Sequence, residues 1–368
     1  MHRSEARNVR SCAVAGLILA ASVSAPAQAQ QFYRIESAVA MKSAAPDWDY
    51  LTFEPKRSYL YIARREEGVA VYDTAAKKHV RTIANSSEAN ATTLVSDLDR
   101  GYTTNEDGST TVFQLSTLKT LKRIKLAEGA DSAVYETVTK RLAFTIGDAK
   151  QIIFFDPQTD TVVGKVDLPG MKLEHPVADG EGRIFVAERD RDSIARIDAK
   201  QPRLLDEWKV EGCQEPNGLA YDRTNRRLFI GCRGKGKAPL LAVMDAESGR
   251  VVATTEIGRG NDGVVYDAET RKIYTSNGVD ANLVVLDQVN ADTYQLAEAT
   301  TTRPYARTMA LDPRTKKVYL VTAEGTVDPA KKVNRSVAPF YPNTYFADTF
   351  TLLTLSPSKP AHAHVTRQ

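Results

Sequence analysis

The chain has 368 residues, 42% hydrophobic and 26% charged, with 49 Lys+Arg against 46 Asp+Glu and a formal net charge of +3. That length and apolar content support a large buried core and exclude a disordered or low-complexity chain. The near balance of charge excludes a globally basic nucleic-acid binder, because such binding depends on neutralising phosphates.

In chain order, the first segment reads as a leader. Arg3, Arg7 and Arg10 form a positive stretch, Cys12 to Val23 is apolar and rich in small residues, and Ala27-Gln28-Ala29 offers a small-x-small cleavage site. This pattern predicts a secretory signal peptide over 1–29, too short and wrongly flanked for a membrane span. The mature chain is expected to start at Gln30 and to reach the periplasm of a Gram-negative cell. Cys12 stands at the start of the apolar stretch, so no lipid anchor is expected. Residues 1–29 carry three Arg and one Glu, so the mature chain holds 46 Lys+Arg against 45 Asp+Glu. No later apolar run reaches membrane length.

Residues 30–355 repeat themselves. Val71-Tyr72-Asp73, Phe154-Phe155-Asp156, Arg196-Ile197-Asp198, Val243-Met244-Asp245 and Val285-Leu286-Asp287 share one pattern, and Val112-Phe113-Gln114 is a degenerate copy. The third positions fall at 73, 114, 156, 198, 245 and 287, so the spacings are 41, 42, 42, 47 and 42. Each unit reads as four short strands: an apolar one such as Gly218–Tyr221, a polar turn, an aromatic or β-branched one such as Arg227–Ile230, the Asp-ending strand, and a Val/Thr strand such as Val251–Thr254. Strand alternation with turn signals at this period predicts an all-β propeller, one blade per repeat. The basic clusters Arg226-Arg227 and Arg233, Lys235, Lys237 read as solvated turns and blade edges, and His79 as a turn residue.

Cys213 and Cys232 flank a strand–turn–strand segment that would bring them side by side. In an oxidising compartment such a pair is expected to form a disulfide. The seventh unit begins at Arg307–Asp312 and has its third strand near Phe350–Leu355. Pro357 and Pro360 prevent a fourth strand there. The apolar stretch Phe32 to Met41 has no blade of its own and is expected to pair into the last blade and close a seven-bladed ring. A long loop at about 322–346 interrupts that blade and carries Lys331, Lys332, Arg335, Phe340, Tyr341 and Tyr345, which makes a flap over one face or a decorative loop. Residues 356–368 are predicted to be a disordered tail.

The segments Glu215–Asp222, Pro176–Arg183 and Arg307–Asp312 give the chain a family likeness. Over about residues 45–325 it resembles the YncE-like, YVTN-type seven-bladed β-propellers. The resemblance implies an exported propeller but little about activity, because most members have none assigned. One better-studied member is credited with DNA binding, so the resemblance admits a DNA-binding propeller. The quinoprotein and streptogramin-lyase sandwiches are similar more distantly. Fold likeness does not transfer chemistry.

Superposing the repeats on the residue before the first strand gives Asp49, Asn90, Asp131, Glu174, Asn217, Asp262 and Arg307. In a propeller these positions face one another at the mouth of the central channel. Three readings stand side by side. The residues can simply solvate the mouth. They can bind a small polar or anionic ligand or an exported partner protein, with the acids accepting from hydroxyl or ammonium groups and Arg307 meeting a carboxylate or phosphate. Or Glu174, Asn217 and Asp262, hard oxygen donors, can hold Ca or Mg. Pro216-Asn217-Gly218 and Asp262-Gly263 are similar to the ligand turns of gluconolactonase-type propellers, and the protein would then be a lactonase-like hydrolase or lyase. His175 is the histidine beside this ring, a candidate catalytic base or a packed residue. Trp48 is placed to wall the mouth, and Trp208 to pack in a blade. Nothing in the sequence calls for more than a monomer.

Overall fold

The computed structural model describes Met1 and residues 32–127, 129–331, 333 and 342–358. Leader residues 2–29, loop residues 332 and 334–341 and tail residues 359–368 therefore lie outside the described residues, while Ser356 and Pro357, expected in a disordered tail, end the last strand.

Seven antiparallel four-stranded sheets form a ring. Blade one consists of Leu51–Glu54, Tyr59–Ala63, Val69–Asp73 and Lys78–Thr82. Blades two to six occupy 89–125, 130–167, 177–209, 216–256 and 261–301. Blade seven takes Met309–Leu311, Val318–Thr322 and Thr351–Pro357 from the end of the chain. Its outermost strand is Tyr33–Ala40, antiparallel to Thr351–Pro357, with Tyr33 opposite Pro357 and Ala40 opposite Thr351. The first strands of successive blades touch all the way round, from blade one through to blade seven and back. Two short 3-10 turns, Ser96–Leu98 and Arg189–Arg191, are the helical elements among the described residues.

The recurring Asp has a local cause. Asp73 Oδ1 accepts the backbone N–H groups of Ala75 and Ala76 at 3.0 and 2.8 Å, and Asp156, Asp198 and Asp245 cap their turns alike. An Asp side chain folded onto the backbone two and three residues on substitutes for a missing main-chain partner and nucleates the turn. Asp222 does the same between first and second strands, through Thr224 and Asn225. Because strands alternate in direction, these turns all lie on the face opposite the mouth.

Burial falls off radially. Second and third strands such as Leu228–Cys232 and Ile152–Phe155 are sandwiched between neighbouring blades and buried on both faces, so they read as continuous apolar runs. The outer strand Lys78–Thr82 is exposed throughout, and His79 belongs to it, paired with Tyr72 rather than sitting in a turn. Cys213 and Cys232 are joined by the expected disulfide, inside the apolar cluster of Phe185, Leu228, Ile230 and Met244 between blades four and five. Trp208 stacks beside Phe185 in that interface, under the Arg196 guanidinium at 4.8 Å. Among the described residues no helix is long and apolar enough to cross a membrane.

Candidate functional site

The innermost strands carry a repeated irregularity where the polar ring residues sit. The ladders between first and second strands slip between Ala89 and Ala91, Ala130 and Ala133, Pro216 and Leu219, and Asn261 and Gly263. Asn90, Asp131, Asn217 and Asp262 fall inside these slips. A bulge leaves one residue out of the ladder and re-aims its side chain. Glu174 and Asp49 hold the equivalent places, their N–H groups donating to the carbonyls of Ala187 and Ala63, each at 3.0 Å.

A cavity of about 260 Å³ lies on the axis at this end, and every blade contributes to its wall. Asp49, Asp131, Glu174, Asp262 and Arg307 line it. Asn90 stands just behind the wall, its Nδ2 donating to Glu106 Oε2 and to the Ala130 carbonyl, each at 2.9 Å, while its Oδ1 accepts from Arg65. Asn217 is not in the wall. It is completely buried, and neither atom of its amide has a hydrogen-bond partner.

The repeat alignment missed a second set of residues in the same wall: Arg65, Glu106, Asp148, Arg189 and Arg233. Each follows the end of a second strand. In an antiparallel hairpin that point lies beside the start of the first strand, hence at the same mouth. A signal was present, since these residues recur at 65, 106, 148, 189 and 233, in phase with the blades. Arg233 is thus not a solvated turn residue, as its basic neighbourhood suggested, but a nearly buried member of the pocket.

Guanidinium groups occupy most of the acids. Arg65 Nη2 meets Asp49 Oδ2 at 2.6 Å, and Arg189 Nη1 meets Glu174 Oε1 at 2.7 Å. Asp262 is held from both sides, by Arg233 on Oδ1 and by Arg307 Nε on Oδ2 at 3.0 Å. Among the described residues no guanidinium pairs with Asp131, and its enclosed Oδ2 makes no hydrogen bond.

These environments separate the acids' protonation. Burial pushes Asp262 up, but Arg233, Arg307 and Arg189 outweigh it and hold the group below the ordinary aspartate value. Burial dominates at Asp49, which rises to about 6 despite Arg65, with the Asp262 charge adding to the rise. Asp131 rises well above its usual range through burial and the charges of Glu174 and Asp49.

His175 lies behind Glu174 rather than in the wall. Its Nδ1 is hydrogen-bonded to Ser132 Oγ at 2.5 Å, and its ring packs on Tyr50 with centroids 5.0 Å apart. Burial lowers it to about 4, so it is neutral at pH 7. Tyr50 itself lines the cavity, its hydroxyl 3.5 Å from Glu174 Oε2. Trp48 does not wall the mouth. It is fully buried, between the Arg307 guanidinium on one side and Tyr345 and Phe350. Tyr345 belongs to the long insertion, where Gly325–Thr326 pairs with Thr344–Tyr345.

The donor set offered for Ca or Mg fits a cation poorly. Glu174 and Asp262 are held by guanidinium groups, Asn217 is outside the wall, and among the described residues no three His, Cys, Asp or Glu side chains converge on one point suited to a metal ion.

No family model and no curated protein matches the sequence. Solved structures do match the fold. One titled Kuenenia stuttgartiensis Hydrazine Synthase is 14% identical at a TM-score of 0.65, over 76% of this chain and 94% of that one. One titled Crystal Structure of Mitotic Checkpoint Complex is 11% identical at 0.69, over 95% and 100%. One titled Crystal structure of RRP9 WD40 repeats is 10% identical at 0.68, over 89% and 99%. At these identities the likeness speaks for the propeller fold and not for its chemistry.

Proposed function

We propose that this chain is an exported, YncE-like propeller that binds a small polar ligand bearing an anionic group at the mouth of its channel. The observation that carries the reading is the gathering of Arg65, Lys172, Arg189, Arg233 and Arg307 around one cavity of about 260 Å³. That volume is below the roughly 300–1,000 Å³ of sites for drug-sized molecules, so it suits a metabolite better than a protein loop. Arg189, oriented through Nη1 by Glu174, lines the cavity and presents its guanidinium fork to a carboxylate or phosphate. Tyr50, which lines the cavity with neutral His175 packed behind it, would supply a hydrogen bond rather than charge. Export rests on the leader reading and on the disulfide, which persists in an oxidising compartment.

The test is a thermal-shift and calorimetric screen of the mature protein against small carboxylates, sugar acids and phosphate esters. A ligand at about a hundred times its Kd stabilises a folded protein by about 2.7 kcal/mol. The expected result is a saturable shift that is lost in Arg233→Gln. A flat response across the panel would leave the polar ring as a solvated channel mouth.

A further inference from the structure

The charges around the cavity are not evenly mixed. Blades two and three contribute Glu106, Asp131 and Asp148 and no cation. Blades four to seven contribute Lys172, Arg189, Arg233 and Arg307 against two carboxylates, Glu174 and Asp262. Blade one is balanced, with Arg65 on Asp49. The mouth therefore has an acidic sector facing a basic one across a space about one metabolite wide.

The acidic sector is also open at the backbone. Gly129 and Gly147 line it together with Asp131. A Cβ on Gly129, which has φ +80°, would lie 2.8 Å from Asp148 Cγ, and one on Gly147 would lie 2.8 Å from the Met171 carbonyl oxygen. Side chains are thus excluded from both positions, which leaves backbone in the wall next to Asp131. Asp131 is at the same time a ring acid with no guanidinium partner among the described residues, with Oδ2 enclosed and unpartnered. A carboxylate with one oxygen enclosed and unpartnered is costly unless a cation joins it, and without one the group keeps its proton.

Resting on the ligand-binding reading above, we infer that the ligand is a zwitterion, with a primary or secondary ammonium group seated on Asp131 between Gly129 and Gly147 and a carboxylate seated on the Arg189–Arg233 side. A dipolar ligand cancels both sectors at once. An anion alone leaves Asp131 without a counter-charge, and an amine alone leaves the cation excess of blades four to seven unbalanced. An ammonium has three N–H donors and suits an open carboxyl, whereas a guanidinium would need the planar, fork-shaped acceptor that Asp131, half enclosed, does not present.

The experiment uses the mature protein near pH 7 and calorimetry with the α-amino acids and the ω-amino acids from β-alanine to ε-aminohexanoate. Each is paired with the carboxylic acid and the amine of the same skeleton. The best amino acid should bind at least about tenfold more tightly than its acid twin, the low end of what a hydrogen bond between charged groups contributes. Asp131→Asn should erase that gap while leaving the acid's affinity within about twofold, since only the ammonium contact is removed. Asp148→Asn, at the exposed rim, should narrow the gap far less. If acids and amino acids bind alike to the wild type, or if the gap survives Asp131→Asn, the zwitterion inference is overturned while the ligand site stands. If neither acids nor amino acids bind, the site reading falls together with the inference.

Discussion

The Arg307 guanidinium lies 4.7 Å over the Trp48 ring, and its Nη2 donates to the Trp48 carbonyl oxygen at 2.6 Å. Two residues 259 positions apart are thus clasped where blade seven meets blade one. From the sequence, Arg307 reads as a mouth residue that meets a ligand's carboxylate or phosphate. The structure makes it a strut as well as a wall of the pocket, because cation–π contact, ion pair and charged hydrogen bond meet in one side chain.

Arg307→Ala is accordingly expected to lower stability by about 1.5–3 kcal/mol, the range for a hydrogen bond made by a charged group. Asp262 keeps Arg233, so the remaining charge stays paired. Arg307→Lys should recover only part of the loss, because an ammonium lacks the planar fork. Urea unfolding followed by circular dichroism measures both, and an unchanged midpoint for Arg307→Ala would show the clasp to be idle.

Asp131→Asn should stabilise the ligand-free protein at neutral pH. The sign follows from linkage. A carboxyl whose folded value is raised holds its proton in the native state after the unfolded chain has lost it, so stability declines as pH rises past the unfolded value of about 3.9. The stability difference between Asp131→Asn and wild type should therefore be near zero at pH about 4 and grow as pH rises. Asp49 follows the same direction over a shorter window, from about 4 to its folded value of about 6. Melting temperatures of both proteins across this range decide it, and a difference that shrinks with pH would contradict the burial of Asp131.

Cys213 and Cys232 are 19 positions apart, and their bridge should contribute roughly 3 kcal/mol by the chain-entropy estimate. Replacing both by Ser should lower the denaturation midpoint accordingly, and thiol titration of the denatured wild type should find no free thiol. Two free thiols in protein recovered from the periplasm would contradict both the pairing and the exported state.

Tyr33 anchors the outer strand of blade seven. Its hydroxyl donates to the Lys316 carbonyl oxygen at 2.7 Å and lies 3.1 Å from the Tyr274 hydroxyl, while its N–H donates to the Glu298 carboxylate. Tyr33→Ala should cost about 3–5 kcal/mol, as for other buried aromatics. Tyr33→Phe should cost less, about 1–3 kcal/mol for the orphaned Lys316 carbonyl. Proteolysis of Tyr33→Ala should begin ahead of Leu51, where the first blade starts, and a wild-type protease pattern would argue against this strand as a structural strap.

What the sequence determined by itself was whatever repeats. The period of about 42 specifies the blades, and Asp73, Asp156, Asp198 and Asp245 could be read as turns because each bonds to backbone two residues away, and all but Asp156 three residues away as well. Asp287 keeps the pattern but pairs with Lys272, which shows that a repeat marks a place rather than a bond. The ring positions were legible for the same reason, since a bulge at the same point of four blades, and the equivalent place in the others, keeps them in phase. Only the tertiary structure decided what those positions do. Whether Asn217 faces the cavity or is sealed away, which guanidinium reaches Asp262, and why none reaches Asp131 depend on side chains meeting across the axis from blades dozens to hundreds of residues apart. Electrostatic pairing of that kind is set by distance in space and by burial, and neither quantity is periodic along the chain.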